Sequence, residues 1–334
     1  MLIKSPAKIN LFLYVTGRRN NGYHDLFTLM ACVDLYDLME MEFRQPKTAV
    51  TCDHPGVPNG EANIVFKAVT LFNATLFSEK KMQSSAIFIK NTIDRVGCVP
   101  GDQSVSSNQA CPNLIKDDDC LIGLRIHIKK KIPVGAGLGG GSSNAAGVLK
   151  TMNRFYGYPF SLSELMTMGL KLGSDVPFFI LGGTAIARGV GEELTPVLTP
   201  EQHHVILFYP GVEASTQQVY KNLDLALTKT VKSNNKCLLK TPEIHQGFIG
   251  IKELMHNDLE RSACDLYPEL GLFKKELVDC LQENVMMTGS GSTFFCLFSD
   301  YKKAERCFSE LSTKWKLDRK QVFLTSFLNA NSIM

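Results

Sequence analysis

Residues 133–146 read PVGAGLGGGSSNAA, five glycines and two serines running into a helix-forming sequence. Glycine carries no Cβ, so Gly135, Gly137, Gly139, Gly140 and Gly141 can turn their N–H groups into a shared concavity. Ser142 and Ser143 add hydroxyls, and a helix starting near Ser142 would add free N–H groups and its positive dipole end. This combination suits phosphate. A turn without a ligand needs one or two glycines, whereas five carry a large cost in backbone entropy.

Spacing narrows the kind of phosphate loop. A P-loop ends in Gly-Lys-Ser/Thr, and no lysine stands between Lys131 and Lys150. Gly135, Gly137 and Gly140 match the dinucleotide fingerprint literally. However, Pro133 separates the strand from the glycines, and the stretch about 20 residues on is helical rather than a strand ending in an acid.

The elements that must position this loop follow from periodicity. Residues 8–15, 26–33, 35–43 and 121–132 read as strands, the last delivering the chain to the glycines. Residues 63–77 and 144–156 are predicted helices. So is 161–172, where Ser161 and Glu164 form a capping box. Residues 184–187, 204–209, 293–298 and 321–328 read as strands, and 266–282 and 301–314 as helices. Residues 94–119 and 228–240 read as polar loops, the first a surface insertion. Strands and helices mix without strict βαβ alternation, which argues an α+β fold.

The 334 residues, 44% hydrophobic, are enough for two domains. Punctuation by glycine and proline over residues 189–200 predicts a division into 1–190 and 191–334. A net charge of +3 argues against nucleic acid as the partner. No apolar run is long enough to span a bilayer. The opening residues run straight into a strand-like segment, so no signal or transit peptide is expected within this sequence, a processed precursor being the alternative. None of the ten cysteines forms a Cys-x-x-Cys pair, and Cys98, Cys111 and Cys120 match no common zinc spacing. Reduced thiols in a cytoplasmic enzyme are the expectation.

Three stretches in order carry a resemblance: Ser5-Pro-Ala-Lys-Ile-Asn-Leu11, the loop at 133–143, and Thr288-Gly-Ser-Gly-Ser292. They resemble the motifs of the galactokinase, homoserine, mevalonate and phosphomevalonate (GHMP) kinase superfamily. Adding Gly17-Arg-Arg-Asn-Asn-Gly-Tyr-His24 and Gly173-Ser-Asp-Val-Pro177, the chain is similar to the 4-diphosphocytidyl-2-C-methyl-D-erythritol kinases. The resemblance spans nearly everything except the insertion. It implies a ribosomal-protein-S5-like N-terminal domain, a ferredoxin-like C-terminal domain and an active site between them. It further implies ATP and Mg²⁺ as cofactors and a cytidine-diphosphate-linked sugar alcohol as substrate, in a monomer or weak homodimer. A sister kinase for homoserine or mevalonate, or a catalytically silent nucleotide-binding relative, is the alternative.

Phosphoryl transfer needs a base for the attacking hydroxyl and charge-neutralising groups on the phosphates. Asp175 reads from sequence equally as that base or as a helix N-cap before Pro177; the resemblance favours the base. Lys8 could pair with Asp175 and polarise the hydroxyl, or could be a strand-edge lysine reaching to water. Asn10 shares its strand face and could bind sugar hydroxyls or the lysine. By resemblance, Tyr23 and His24 hold cytosine with Tyr220 stacking from the other side, and Thr216 lies near the substrate; Tyr220 also reads as a ring packed in the core. ATP would meet Pro133, Gly135, Gly137, Gly139, Gly140, Gly141, Ser142 and Ser143, with Asn63 and Lys130 near the adenosine. Asn63 also reads as a helix N-cap, and Lys130 as an exposed strand lysine. Magnesium would arrive with ATP and touch Ser142 or Ser143 rather than a dedicated protein site.

Overall fold

The computed structural model describes residues 1–78, 123–199, 203–223, 254–315 and 320–329. The loops expected at 94–119 and 228–240 lie outside the described residues. The chain opens with a long antiparallel pair, β1 (Leu2–Arg18) and β2 (His24–Gln45), in register from Leu2↔Glu40 to Arg18↔His24. The two strands expected at 26–33 and 35–43 are therefore one. Pro6 pairs with Tyr36 and Ala7 with Val33, leaving Asp34 and Leu35 as a bulge. Proline has no N–H to continue the ladder, so the sequence break at Asp34 is a register shift and not a turn.

β2 then serves two neighbours. Its second half pairs with β4 (Gly123–Lys129), which also holds β3 (Ala49–Cys52) in parallel. Its first half pairs with β5 (Thr184–Gly189). Glu193–Val197 forms β6, hairpinned to β5. A division at 190/191 parts that hairpin, and we propose a boundary after β6 instead.

One face of this sheet is covered by α1 (Ile64–Phe77), α2 (Gly140–Phe155), α3 (Leu162–Leu172) and α4 (Val176–Leu181). Met39, Ile126, Phe72, Leu149 and Phe178 meet there in one buried cluster. The capping box of Ser161 and Glu164 starts α3 as expected. α2 begins at Gly140, ahead of the expected start, with Gly139 as N-cap at φ 71°.

The second sheet runs β11 (Gln321–Ser326), β7 (His204–Tyr209), β10 (Phe294–Phe298), β9 (Val285–Met287). Along β7, Val205 and Leu207 pack toward β1, while Ile206 and Phe208 pack under helices. Burial on both faces explains the unbroken apolar run of β7. Those helices are α6 (Leu259–Leu266), α7 (Pro268–Leu281) and α8 (Tyr301–Lys314). The helix expected at 266–282 starts at Pro268 because proline suits the first helical position. α5 (Thr216–Lys221) precedes them, and β8 (His256–Asn257) joins β1 in parallel. Strand β1 is thus covered on both faces. Among the described residues no helix is long and apolar enough to cross a membrane.

Candidate active site

A cavity of about 1020 Å³ lies where β1, the glycine loop, α4 and α5 meet, and every site residue expected from sequence lines it except Ser143. Ser143 is 1% exposed, and its hydroxyl lies outside the lining. Consecutive helix positions point about 100° apart, so both serines of α2 cannot face the same loop. Ser142 is the one that does.

Lys8 and Asn10 stand on the β1 face opposite Ala7, Ile9 and Leu11, which pack on the second sheet. Lys8 is 4% exposed, so it does not reach out to water as a strand-edge lysine would. Its ammonium donates to Asn10 Oδ1 at 2.7 Å and lies 3.6 Å from Asp175 Oδ2. Asn10 is itself fixed: Nδ2 donates to Thr28 Oγ1 at 2.8 Å, and its N–H donates to Thr288 Oγ1 at 2.9 Å. Asp175 occupies the N-cap position of α4 but makes no side-chain capping bond. Its carboxylate therefore faces the cavity rather than the helix.

The glycine loop is pressed between the two halves of the chain. A Cβ on Gly137, at φ +76°, would sit 2.4 Å from Thr288 O, and one on Gly139 would sit 2.8 Å from the Phe179 ring. Across the gap, Thr293 N–H donates to Ala136 O at 3.2 Å and Ala214 N–H to Gly135 O at 3.1 Å. Lys8 N–H donates to Leu138 O at 3.0 Å, tying the loop to β1. Any side chain at Gly137 would push the 288–292 turn away, and with it the anchor of Asn10.

At the far end, Asn63 caps α1 by accepting from Val65 N–H at 2.9 Å and donates to Pro58 O at 2.7 Å. It forms wall rather than an outstretched ligand. Lys130 is no exposed strand lysine: its ammonium donates to Asp37 Oδ2 at 2.5 Å, and both side chains are buried.

At the opposite end, His24 and Tyr220 stack with centroids 5.2 Å apart and planes 27° apart. A base between them would need about 3.5 Å on each face, so these two rings do not by themselves form a slot. Tyr23, 62% exposed, lines the same end with a free face. Burial holds the His24 imidazole below its ordinary value, assisted by the positive charge of Arg18. His24 is thus neutral near pH 7, with one nitrogen to donate and one to accept. Burial, and then the charge of Asp175, raises Tyr220, so its phenol stays protonated. Thr216 Oγ1 shares a 2.7 Å hydrogen bond with Ser290 Oγ. Arg19 fixes the loop before His24 through Asp25 at 2.7 Å and Glu192 at 3.5 Å.

Residues 108–183 match the GHMP kinases N terminal domain family and residues 244–317 the GHMP kinases C terminal family. A 4-diphosphocytidyl-2-C-methyl-D-erythritol kinase of Clostridium kluyveri is 34% identical over 326 residues, covering 97% of this chain and 99% of the relative. One of Clostridium botulinum (strain Eklund 17B / Type B) is 34% identical, covering 94% and 97%. The chain belongs to this family of GHMP kinases. A crystal structure of 4-(cytidine 5'-diphospho)-2C-methyl-D-erythritol kinase matches with a TM-score of 0.64 at 29% identity, covering 98% and 99%. Homoserine kinase from Cytophaga hutchinsonii matches with a TM-score of 0.66 at 15% identity, covering 99% and 96%, which shows the shared α+β fold alone.

Three supports of this cavity were not among the expected site residues, although Thr288 opens the motif at 288–292. Thr288 holds Asn10. Asn257 donates from Nδ2 to Met287 O at 2.7 Å and to Gly289 O at 2.8 Å, fixing the 288–292 turn from behind. Asp37 holds Lys130. Asn257 comes from the second half and Asp37 from mid-strand β2, so no local pattern connects either to the glycines.

Proposed function

We propose that this protein transfers the terminal phosphoryl group of ATP to the 2-hydroxyl of 4-(cytidine 5'-diphospho)-2-C-methyl-D-erythritol. The products are the 2-phosphate and ADP, a step of the non-mevalonate route to isopentenyl diphosphate. The observation that carries this reading is the Lys8–Asp175 contact inside a cavity bounded by the glycine loop at one end and by Tyr23, His24 and Tyr220 at the other.

Asp175 accepts the proton of the attacking hydroxyl, since its carboxylate is uncapped and faces the cavity. Lys8, held by Asn10, orients that carboxylate and offsets negative charge as the hydroxyl attacks. The N–H groups of the glycine loop and the start of α2 cradle the phosphates. Tyr23 and Tyr220 offer ring faces to cytosine, and neutral His24 pairs with its edge. Among the described residues no group of three or more His, Cys, Asp or Glu could hold a metal. Ser142 is the hydroxyl that fits a magnesium ion carried in by the nucleotide, where such an ion neutralises phosphate charge.

The test is a substrate panel. The purified chain should consume ATP with the cytidine-linked methylerythritol and leave homoserine and mevalonate untouched. Equal turnover of either of the latter would overturn the proposal.

A further inference from the structure

Asp37 is a fully buried carboxylate in the middle of β2, outside the cavity lining, and it accepts four hydrogen bonds. Oδ1 takes the N–H groups of Lys131 and Ile132, each at 2.9 Å. Oδ2 takes the Lys130 ammonium at 2.5 Å and Asn144 Nδ2 at 3.1 Å. The two oxygens hold different things. Oδ1 grips the chain where it leaves β4, just before the glycine loop, and Oδ2 grips Lys130 on that same side and Asn144, early in α2, beyond the loop. One side chain thereby fixes both ends of residues 133–139. The fit is close: a Cβ on Gly140 would lie 2.8 Å from Lys130 Nζ and 3.3 Å from Asp37 Oδ2. The glycine at that position leaves room for the ion pair beneath the start of the helix.

We infer that Asp37, with Lys130 as its counter-ion, is a positioning residue that sets the span of the glycine loop to that of the ATP phosphates. This rests on the reading of that loop as the ATP site. A buried charge leaves water only when its partners are well placed, and removing one partner leaves the other uncompensated. The ion pair is therefore kept only while both partners stay in place. The N–H groups aimed at the phosphates keep their direction only while β4 and α2 stay at a fixed separation, and such preorganised donors lose effect with small displacements. Lys130 lines the cavity and contributes its ammonium to this positioning through Asp37.

Asp37→Asn separates the two grips. The side-chain oxygen can still accept from Lys131 and Ile132, while the new amide faces the donors Lys130 and Asn144. The experiment titrates the full chain and this variant with a non-hydrolysable ATP analogue plus magnesium, and separately with CDP, by calorimetry. The expected result is a loss of about tenfold in affinity for the ATP analogue, with CDP within about twofold of the original chain. In turnover assays the KM for ATP should rise more than kcat falls. The double variant Asp37→Asn with Lys130→Met, which removes both charges, should show the same selective loss and serves if the single variant does not fold. Unchanged affinity for the ATP analogue, equal weakening of both ligands, or loss of cooperative unfolding in both variants would overturn the inference. An original chain that binds the ATP analogue but not CDP would count against the proposed substrate and leave the Asp37 comparison readable.

Discussion

The Lys8 ammonium and the Asp175 carboxylate stand 3.6 Å apart, the lysine side chain 5% exposed and the aspartate 32%. The cation is locked into β1 and the carboxylate looks into the cavity. Turnover should depend on Asp175 as a proton acceptor. Asp175→Asn keeps the shape and removes basicity, so kcat should fall by about a thousandfold while affinity for an ATP analogue stays near its original value. Rapid-quench or coupled assays together with calorimetry would measure this. Retained turnover would exclude Asp175 as the base.

Asn10 links the lysine to the rest of the network. Asn10→Ala removes the acceptor for Lys8 and the donor to buried Thr28. Stability should drop by about 1–3 kcal/mol from the unpaired groups, and kcat should fall with it because Lys8 loses its fixed position. Chemical denaturation and kinetics on the same preparation would read both, and a stability loss without a kinetic one would separate Asn10 from catalysis.

The glycines of the loop are not equivalent. Gly137 has φ +76° and a backbone oxygen 2.4 Å from the place of a Cβ, whereas Gly141 has nothing nearer than Ile64 Cγ2 at 3.8 Å. Gly137→Ala should destabilise the fold by about 1–3 kcal/mol or more and raise the KM for ATP. Gly141→Ala should melt close to the original temperature. Equal melting of the two variants would contradict this geometry.

On the proposed reading, His24 should make ligand binding at its end of the cavity sensitive to pH. Its folded-state value lies below the ordinary 6.5 because burial, then Arg18, disfavour the imidazolium, against a smaller upward pull from Asp25. As pH falls, the unfolded chain binds this proton first. The contribution of His24 to stability is therefore fully present above 6.5 and is lost as pH drops through the lower folded value. CDP affinity should be level from about pH 8 to 6.5 and decline below it. An NMR titration of the His24 ring should give a midpoint under 6.5; a midpoint at or above that would refute the effect.

Tyr220 should act through its ring. Its phenol stays protonated beside Asp175, so Tyr220→Phe should leave affinity for the cytidine substrate within a few-fold. Tyr220→Ala should cost about 1–3 kcal/mol of binding. Isothermal titration with CDP distinguishes the two, and a large loss in Tyr220→Phe would assign the role to the hydroxyl.

What the sequence determined by itself was local. Five glycines with two serines specify a tightly turned loop before a helix start, because residues without a Cβ take up left-handed backbone angles and close approaches most readily. Glu164 three residues after Ser161 specifies a helix start, and α3 has it. Alternation and apolar runs specify most strands, because side-chain period follows from backbone geometry. The tertiary structure decided everything that depends on which surfaces meet. Whether Asp175 caps a helix or faces a substrate was open in the sequence, since both uses place aspartate before Val-Pro. In the structure the side chain makes no capping bond and lies 3.6 Å from the Lys8 ammonium. Burying β1 on both faces turns an edge-like lysine into a fixed charge. Helical rotation selects Ser142 over Ser143, and the bulge at Asp34 joins two expected strands into one. Asp37 shows the limit most clearly: an ordinary acid in a strand, it holds the glycine loop only because β2, β4 and α2 converge there. Such convergence arises from packing between distant segments, and no spacing along the chain encodes it.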